Sequence, residues 1–316
     1  MTKVIFVGNY KGGVGKTTSV YSIGHFLAKH HHKKVLMLDL DPQSSLSEIC
    51  LRGANFKNKN NYLKLDELPP QETLNYVFDL FIRKIKSKLQ VPLKFDTSKL
   101  VKQIADSELY FIPSSLFYEE DKGLDELSLL MEGNIEYFSI LSSLISSLKG
   151  DHYDFILIDC PPTSSILTQS AFLLSDYYVV PTIEDGISTN GVLHYIQTVG
   201  KTYRKYCGVQ NEDHLLYKHF FGEKPRLLGV FCTLTRNQVK YNDIRTIFED
   251  QLSKVDAEEN IYIFKSYTNN YIAIAKATAE GEVKEEVNNR RDYEEITKEM
   301  LGRIKELELK GAQTDE

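Results

Sequence analysis

Lys16 and Thr17 stand near the end of an octet, Lys11-Gly12-Gly13-Val14-Gly15-Lys16-Thr17-Thr18, that follows the apolar run Val4-Ile5-Phe6-Val7 and precedes a helix-like stretch, Ser19–Leu27. Strand, glycine-rich turn and helix start, in that order, make a phosphate-binding loop. Glycines let successive N–H groups curl around phosphate oxygens, and the helix dipole adds positive potential at the same point. Gly12 to Thr18 then form the cradle, Lys16 reaches the β- and γ-phosphates, and the Thr17 hydroxyl ligates magnesium. The pattern G-x-x-x-x-G-K-[ST] would place glycine at position 10, where Tyr10 stands, and this chain adds a second lysine, Lys11. On the outward rim of the loop, Lys11 puts charge where a neighbouring molecule could approach.

Two acidic motifs accompany the loop. Val35–Gln43 reads as a strand whose C-terminal end carries Asp39 and Asp41, which alternation places on one side. Phe155-Ile156-Leu157-Ile158-Asp159 is an apolar strand ending in a carboxylate, the arrangement that holds magnesium through water in phosphate-loop enzymes. Strand C-termini are the edge at which open α/β sheets bind ligands.

The elements that must position these groups alternate between strand-like and helix-like. Strands are expected at Lys3–Gly8, Lys34–Asp39, Leu109–Pro113, Phe155–Asp159, Tyr177–Pro181, Leu227–Thr233 and Ile261–Phe264. Several are continuous apolar runs, as in strands buried on both faces. The fold class is therefore α/β, a doubly wound, mostly parallel sheet with helices on both faces. No repeat or low-complexity linker divides the chain, so residues 1–316 are expected to form a single domain. Asn55–Asn61 reads as a polar loop, and Leu74–Leu89 as an amphipathic helix with Val77, Phe78, Phe81 and Ile82 on its apolar side. His30-His31-His32 ends the first helix, where the dipole favours cations.

No apolar run approaches the roughly 20 residues that span a bilayer, and the N-terminus enters a strand at once, without a signal peptide. A cytoplasmic location is expected. Cys50, Cys160, Cys207 and Cys232 lack metal or disulfide spacing and read as reduced, buried residues. The net charge is −6, yet residues 201–245 hold nine Lys/Arg against four Asp/Glu, leaving −11 for the remainder. One basic region in an acidic chain is a footprint for local polyanion binding.

Taken together, Lys11–Thr18, Asp39–Gln43 (D-x-D-P-Q) and Ile158–Pro162 (I-D-C-P-P) resemble the ParA/MinD group of deviant Walker-A ATPases, within the P-loop NTPases. The likeness is greatest to ParA-type DNA partition ATPases of the shorter type, which lack an N-terminal helix-turn-helix. It covers about residues 1–50 and 105–290, leaving an enlarged segment at about 51–150 and a C-terminal helix at about 291–309. The resemblance implies ATP and Mg2+ as cofactors. Lys16 and the loop amides would hold phosphates, Thr17 the metal, and Asp39 and Asp159 its water shell. Asp41 would orient the attacking water. Lys11 would reach the nucleotide of a second subunit, so that ATP closes a homodimer and hydrolysis is slow. It further implies nonspecific double-stranded DNA binding, nucleoid association, a ParB-like centromere-binding adaptor and no membrane partner. Arg236, Lys240 and Arg245 would share a helix face toward DNA phosphates. The chain has Thr268-Asn269 where partition ATPases commonly have Pro-Arg. Alternatives are a MinD-like membrane-cycling regulator and a positioner of non-DNA cargo on the same fold. For the first, Tyr293–Leu309 has Ile296, Met300, Ile304 and Leu307 at helical spacing, but its glutamates would be repelled by anionic lipid. An iron–sulfur electron-transfer ATPase does not suit the isolated cysteines.

Overall fold

The computed structural model describes residues 2–54, 63–89, 93, 96–119, 122–133, 135–148, 153–183, 186–210, 212–235, 246, 250 and 261–314. Among these, the strands are β1 (Lys3–Val7), β2 (Val35–Asp39), β3 (Lys102–Gln103), β4 (Leu109–Ile112), β5 (Phe155–Asp159), β6 (Tyr177–Ile183) and β7 (Arg226–Thr233). They form one sheet in the order β3-β4-β2-β5-β1-β6-β7. Every pairing is parallel except that of β3 with β4. The helices are α1 (Lys16–His31), α2 (Ser45–Ala54), α3 (Leu74–Lys86), α4 (Thr97–Leu100), α5 (Leu124–Met131), α6 (Ser139–Leu148), α7 (Ile166–Leu174), α8 (Gly186–Cys207), α9 (His214–Phe221), α10 (Ile272–Ala279) and α11 (Asp292–Thr314).

The continuous apolar strands divide by period two. Phe6, Leu36, Leu38, Ile156, Ile158 and Tyr178 enter a core with α3, α6, α7 and α8. Their neighbours Ile5, Val7, Val35, Met37, Leu157 and Val179 enter a second core with α1, α2 and α11. Alternating side chains of a strand covered on both faces must all be apolar, which is why no polar residue interrupts these runs.

Two expectations are corrected at the β7 edge and in the connecting segment. Ile261–Phe264 makes a single parallel bridge, Ile263 to Val230, rather than a strand. The ladder begins with Val230 N–H donating to Tyr262 O (2.8 Å) and Phe264 N–H to Val230 O (2.9 Å). It breaks at Ser266 N–H, the next donor on the β7 side, which goes instead to the Glu299 carboxylate on α11 (2.8 Å), as does Lys265 N–H (2.7 Å). Pairing resumes at Thr268 N–H to Cys232 O (3.0 Å). The short edge strand β3 has no apolar run to announce it. The amphipathic helix ends at Lys86, and Lys88 adopts φ 52° just beyond it. The polar stretch Asn55–Asn61 lies outside the described residues.

The C-terminal helix is spent in the core. Tyr293, Ile296, Met300 and Ile304 are buried against α1 and the sheet, and Tyr293 Oη lies 3.2 Å from Ser19 Oγ. At its far end α1 is tied to the chain after α10, where the Glu285 carboxylate gathers Lys29 Nζ (2.6 Å), His25 Nε2 (3.0 Å) and His30 Nε2 (3.3 Å). The three-histidine run therefore contributes a carboxylate contact. Among the described residues no helix is long and apolar enough to cross a membrane.

Gly281 locks these pieces together. Its carbonyl accepts from Tyr21 Oη at 2.6 Å, its φ is 76°, and a Cβ there would lie 2.3 Å from the backbone nitrogen of Gly53. Gly222 has φ 77° with nothing within 4 Å of an added Cβ. Gly281→Ala should therefore lower unfolding stability by about 3 kcal/mol, and Gly222→Ala by only about 1 kcal/mol, in chemical denaturation. Equal losses would mean that backbone strain, not the contact with Gly53, decides the position.

Candidate functional site

Three strand ends meet beneath the start of α1. Val7 pairs with Asp159, and Asp39 pairs with Asp159 from the other side, so β1, β5 and β2 finish in register. The loop after β1 is fastened at several points. The buried Asn9 donates through Nδ2 to Pro181 O (2.9 Å) and accepts from Lys11 N–H (3.0 Å). Thr233 Oγ1 sits 2.9 Å from both Val14 O and Thr182 O, its one proton serving one carbonyl at a time. Gly13 and Gly15 take φ 72° and 71°, a left-handed conformation that β-carbons disfavour. Gly15 is the N-cap of α1 and has no side chain to cap it. The first N–H groups of α1 are thus left for an anion.

Lys16 is 7 % exposed, and its Nζ donates to Lys11 O at 3.1 Å. Burial pulls its pKa down, opposed by the nearby carboxylates of Asp159 and Asp41. Asp159 is fully buried, and neither of its oxygens has a hydrogen-bond partner. Burial pushes its pKa well above the usual carboxylate range, and the charge of Asp39 adds to the rise, while the neighbouring Thr17 hydroxyl and Lys16 pull the other way. Asp39 is equally buried but better served. Its Oδ2 accepts from Ser47 N–H (2.7 Å) and Ser47 Oγ (2.6 Å), and its Oδ1 from Asp41 N–H (3.2 Å). Burial still raises it to about 6, and its bonds to Ser47 resist that rise. Asp41 is half-buried at the opening, its Oδ1 accepting from Gln43 N–H at 2.9 Å.

A buried carboxylate with no donor is unfavourable unless a proton or cation joins it. Asp159, Asp39 and the Thr17 hydroxyl supply only oxygens, the donor set of a hard divalent cation. Directly beside them stand the α1 N-terminus and the Lys16 ammonium, which together attract phosphate oxygens. The structure places Lys16, Thr17, Asp39, Asp41 and Asp159 at this one edge. Lys11 on the loop and Thr18 in the first turn of α1 are half-buried, and Gly12 and Gly13 are exposed at the loop tip. Arg236, Lys240 and Arg245 lie outside the described residues. Lys201, Arg204 and Lys205, from the same basic segment, are exposed near the end of α8.

Sequence reasoning did not find Asn9, Ser47, Thr233 or the pair Ser44 and Ser114. All five side chains are buried and act through the positions of others. Ser47, in the first turn of α2 and eight residues after Asp39, is the only one with a local signal, and only the turn at Asp41–Ser44 folds it back onto Asp39.

The chain belongs to the AAA_31 family (AAA domain), whose model matches residues 2–211. A virulence plasmid ParA family protein of Chlamydia psittaci, pGP5-D, is 30% identical over 202 residues, covering 63% of this chain and 64% of that protein. The chromosome-partitioning ATPase Soj of Treponema pallidum is 28% identical over 199 residues, again covering 63% of this chain and 64% of its own. The chain thus spans just under two thirds of the length of these relatives. Among solved structures, cobyrinic acid a,c-diamide synthase from Mycobacterium smegmatis with bound ADP and magnesium matches at TM-score 0.64 and 21% identity, over 96% of both chains. At that identity the match speaks for the fold, a P-loop NTPase-like α/β sheet. The ParA/MinD resemblance carried by the three motifs is borne out.

The two buried carboxylates make stability pH-dependent. A carboxyl whose pKa rises on folding contributes stability that is complete below its unfolded value and is lost as pH climbs through the folded value; for Asp39 that window runs from 3.8 to about 6. Asp159 shifts in the same direction. Asp159→Asn, which keeps the shape and removes the charge, should raise the melting temperature of the protein alone at pH 8 by on the order of 5 °C. The gain should shrink toward pH 4, and a gain that is flat with pH would contradict this account.

Proposed function

We propose that this protein is a ParA-type ATPase that binds ATP with magnesium at the α1 N-terminus. Two copies close around the nucleotide, and slow hydrolysis times the partition of plasmid or chromosomal DNA. The observation that carries the reading is the fully buried Asp159, with two unpartnered oxygens beside Thr17 and Lys16 under an uncapped helix start. The relatives named for plasmids and chromosome partition support the cargo.

In this mechanism the N–H groups of Gly12 to Thr18 and the Lys16 ammonium bind the phosphates. Thr17 ligates the metal, and Asp39 and Asp159 hold its water shell. Magnesium, when bound, neutralises charge on the phosphate oxygens. Asp41, at the mouth of the site, orients the water that attacks the terminal phosphorus. Lys11 crosses to the nucleotide of the second copy. Phosphoryl transfer depends chiefly on positioning and charge neutralisation, so a lysine supplied by the neighbour makes pairing a condition of turnover. DNA contacts are assigned to Arg236, Lys240 and Arg245, with a ParB-like adaptor stimulating hydrolysis. A MinD-like membrane cycle is not favoured, because Ile296, Met300 and Ile304 of α11 are buried in the core.

Lys11→Ala should abolish the ATP-induced doubling of mass in light scattering, whereas Asp41→Ala should keep ATP binding and lose turnover by about a hundredfold or more. An unchanged mass shift, or wild-type hydrolysis in the Asp41 variant, would remove the role assigned to that residue. Retention of nonspecific duplex DNA should require ATP and fall steeply between 50 and 200 mM salt, roughly a thousandfold for six phosphate contacts. Absence of ATP-dependent retention would redirect the proposal to another cargo.

A further inference from the structure

The Asp39 carboxylate is set by its neighbours before anything binds. A carboxylate offers about four lone-pair sites. Ser47 N–H and Ser47 Oγ–H occupy both on Oδ2, at 2.7 and 2.6 Å, and Asp41 N–H occupies one on Oδ1 at 3.2 Å. A single site, on Oδ1, is left.

The direction of the Ser47 hydroxyl follows by elimination. Ser114 N–H can only donate, and it points at Ser47 Oγ from 2.8 Å. Oγ therefore accepts there, and its one proton is committed to Asp39. The Ser114 hydroxyl donates to Ser44 Oγ at 2.9 Å, so its 3.3 Å separation from Ser47 Oγ is proximity alone. Ser44, Ser47 and Ser114 are all buried, which keeps water from competing. The anchor lies farther along the chain. Ser115, next to Ser114 in the segment after β4, is clamped to Asn75 of α3, with Ser115 N–H donating to Asn75 Oδ1 (2.9 Å) and Asn75 Nδ2 donating to Ser115 O (3.0 Å). Asn75 Nδ2 also lies 3.2 Å from Lys122 O.

We propose that Ser47 is a positioning residue for the Asp39 carboxylate toward the bound metal. The chain Ser114–Ser115–Asn75 holds its hydroxyl in place, which gives these three residues, outside the ATPase motifs, a part in the site. The inference rests on the nucleotide reading above. The competing account is that Asp39 merely caps the start of α2. A cap would set stability and leave metal dependence alone.

The two accounts separate in a magnesium titration of fluorescent ATP-analogue binding, run beside the same measurement in EDTA. Ser47→Ala should raise the Mg2+ concentration at half-saturation by about tenfold, the scale of a lost outer-shell partner, with the affinity in EDTA unchanged. Ser114→Ala keeps the backbone donor to Ser47 and should shift it by less than about threefold. In an Asp39→Asn background, Ser47→Ala should add nothing further, because the charged carboxylate it positions toward the metal is gone. If Ser47→Ala does not fold, Ser47→Cys fills similar space with a weaker donor and must show the shift instead. An unchanged half-saturation, an equal loss with and without magnesium, or full additivity with Asp39→Asn would overturn the positioning role. A wild-type protein that binds no ATP analogue at any magnesium concentration would overturn the nucleotide reading itself, and this inference with it.

Discussion

Asp39 and Asp159 stand opposite each other in the register of β2 and β5, both cut off from water, and the surrounding structure answers to that pair. Burying two like charges side by side is strongly unfavourable unless donors, protons or cations offset it. The chain treats the two differently. Asp39 receives three hydrogen bonds and Asp159 none, so the deficit is concentrated on one carboxylate beside Lys16 and Thr17. A site so arranged favours positive charge at Asp159, whether a proton or a cation.

The parallel sheet is what makes this arrangement possible. Strands that share direction and register deliver Val7, Asp39 and Asp159 to one edge, and the following loops are free to form there. The two apolar cores hold that edge in place from both faces. They also fix the helix whose N-terminus faces the carboxylates, since α1 contributes Val20, Ile23, Phe26 and Leu27 to one core. An anion at the helix start and a cation at Asp159 would then sit side by side, each improving the site for the other.

Elements remote in sequence serve the same end. The α11 helix buries its apolar face on α1 and holds the 262–266 stretch through Glu299. β7 ends in Thr233, whose hydroxyl reaches the loop at Val14 O and the neighbouring strand at Thr182 O. The buried Ser44, Ser47 and Ser114 hold the Asp39 carboxylate on the other side. These groups brace the loop that carries Lys16 and the carboxylate of Asp39.

The sequence by itself determined the phosphate loop, the two acidic strand ends and most of the sheet, because each is a local pattern. Glycines at fixed spacing, a carboxylate after an apolar run and period-two burial do not depend on distant partners. Ile261–Phe264 misled because its pairing with β7 is cut short: the Glu299 carboxylate, dozens of residues away, takes the Ser266 N–H that would continue it. β3 was invisible because two edge residues bury too little to require an apolar pattern. The difference between Asp39 and Asp159 was also beyond the sequence. Both follow apolar strands and look alike as text. Only the tertiary structure decided that Ser47, folded back by the Asp41–Ser44 turn and held by Ser114, satisfies one of them and leaves the other without a donor. Hydrogen bonds between residues far apart in the chain set that outcome, and no local spacing records them.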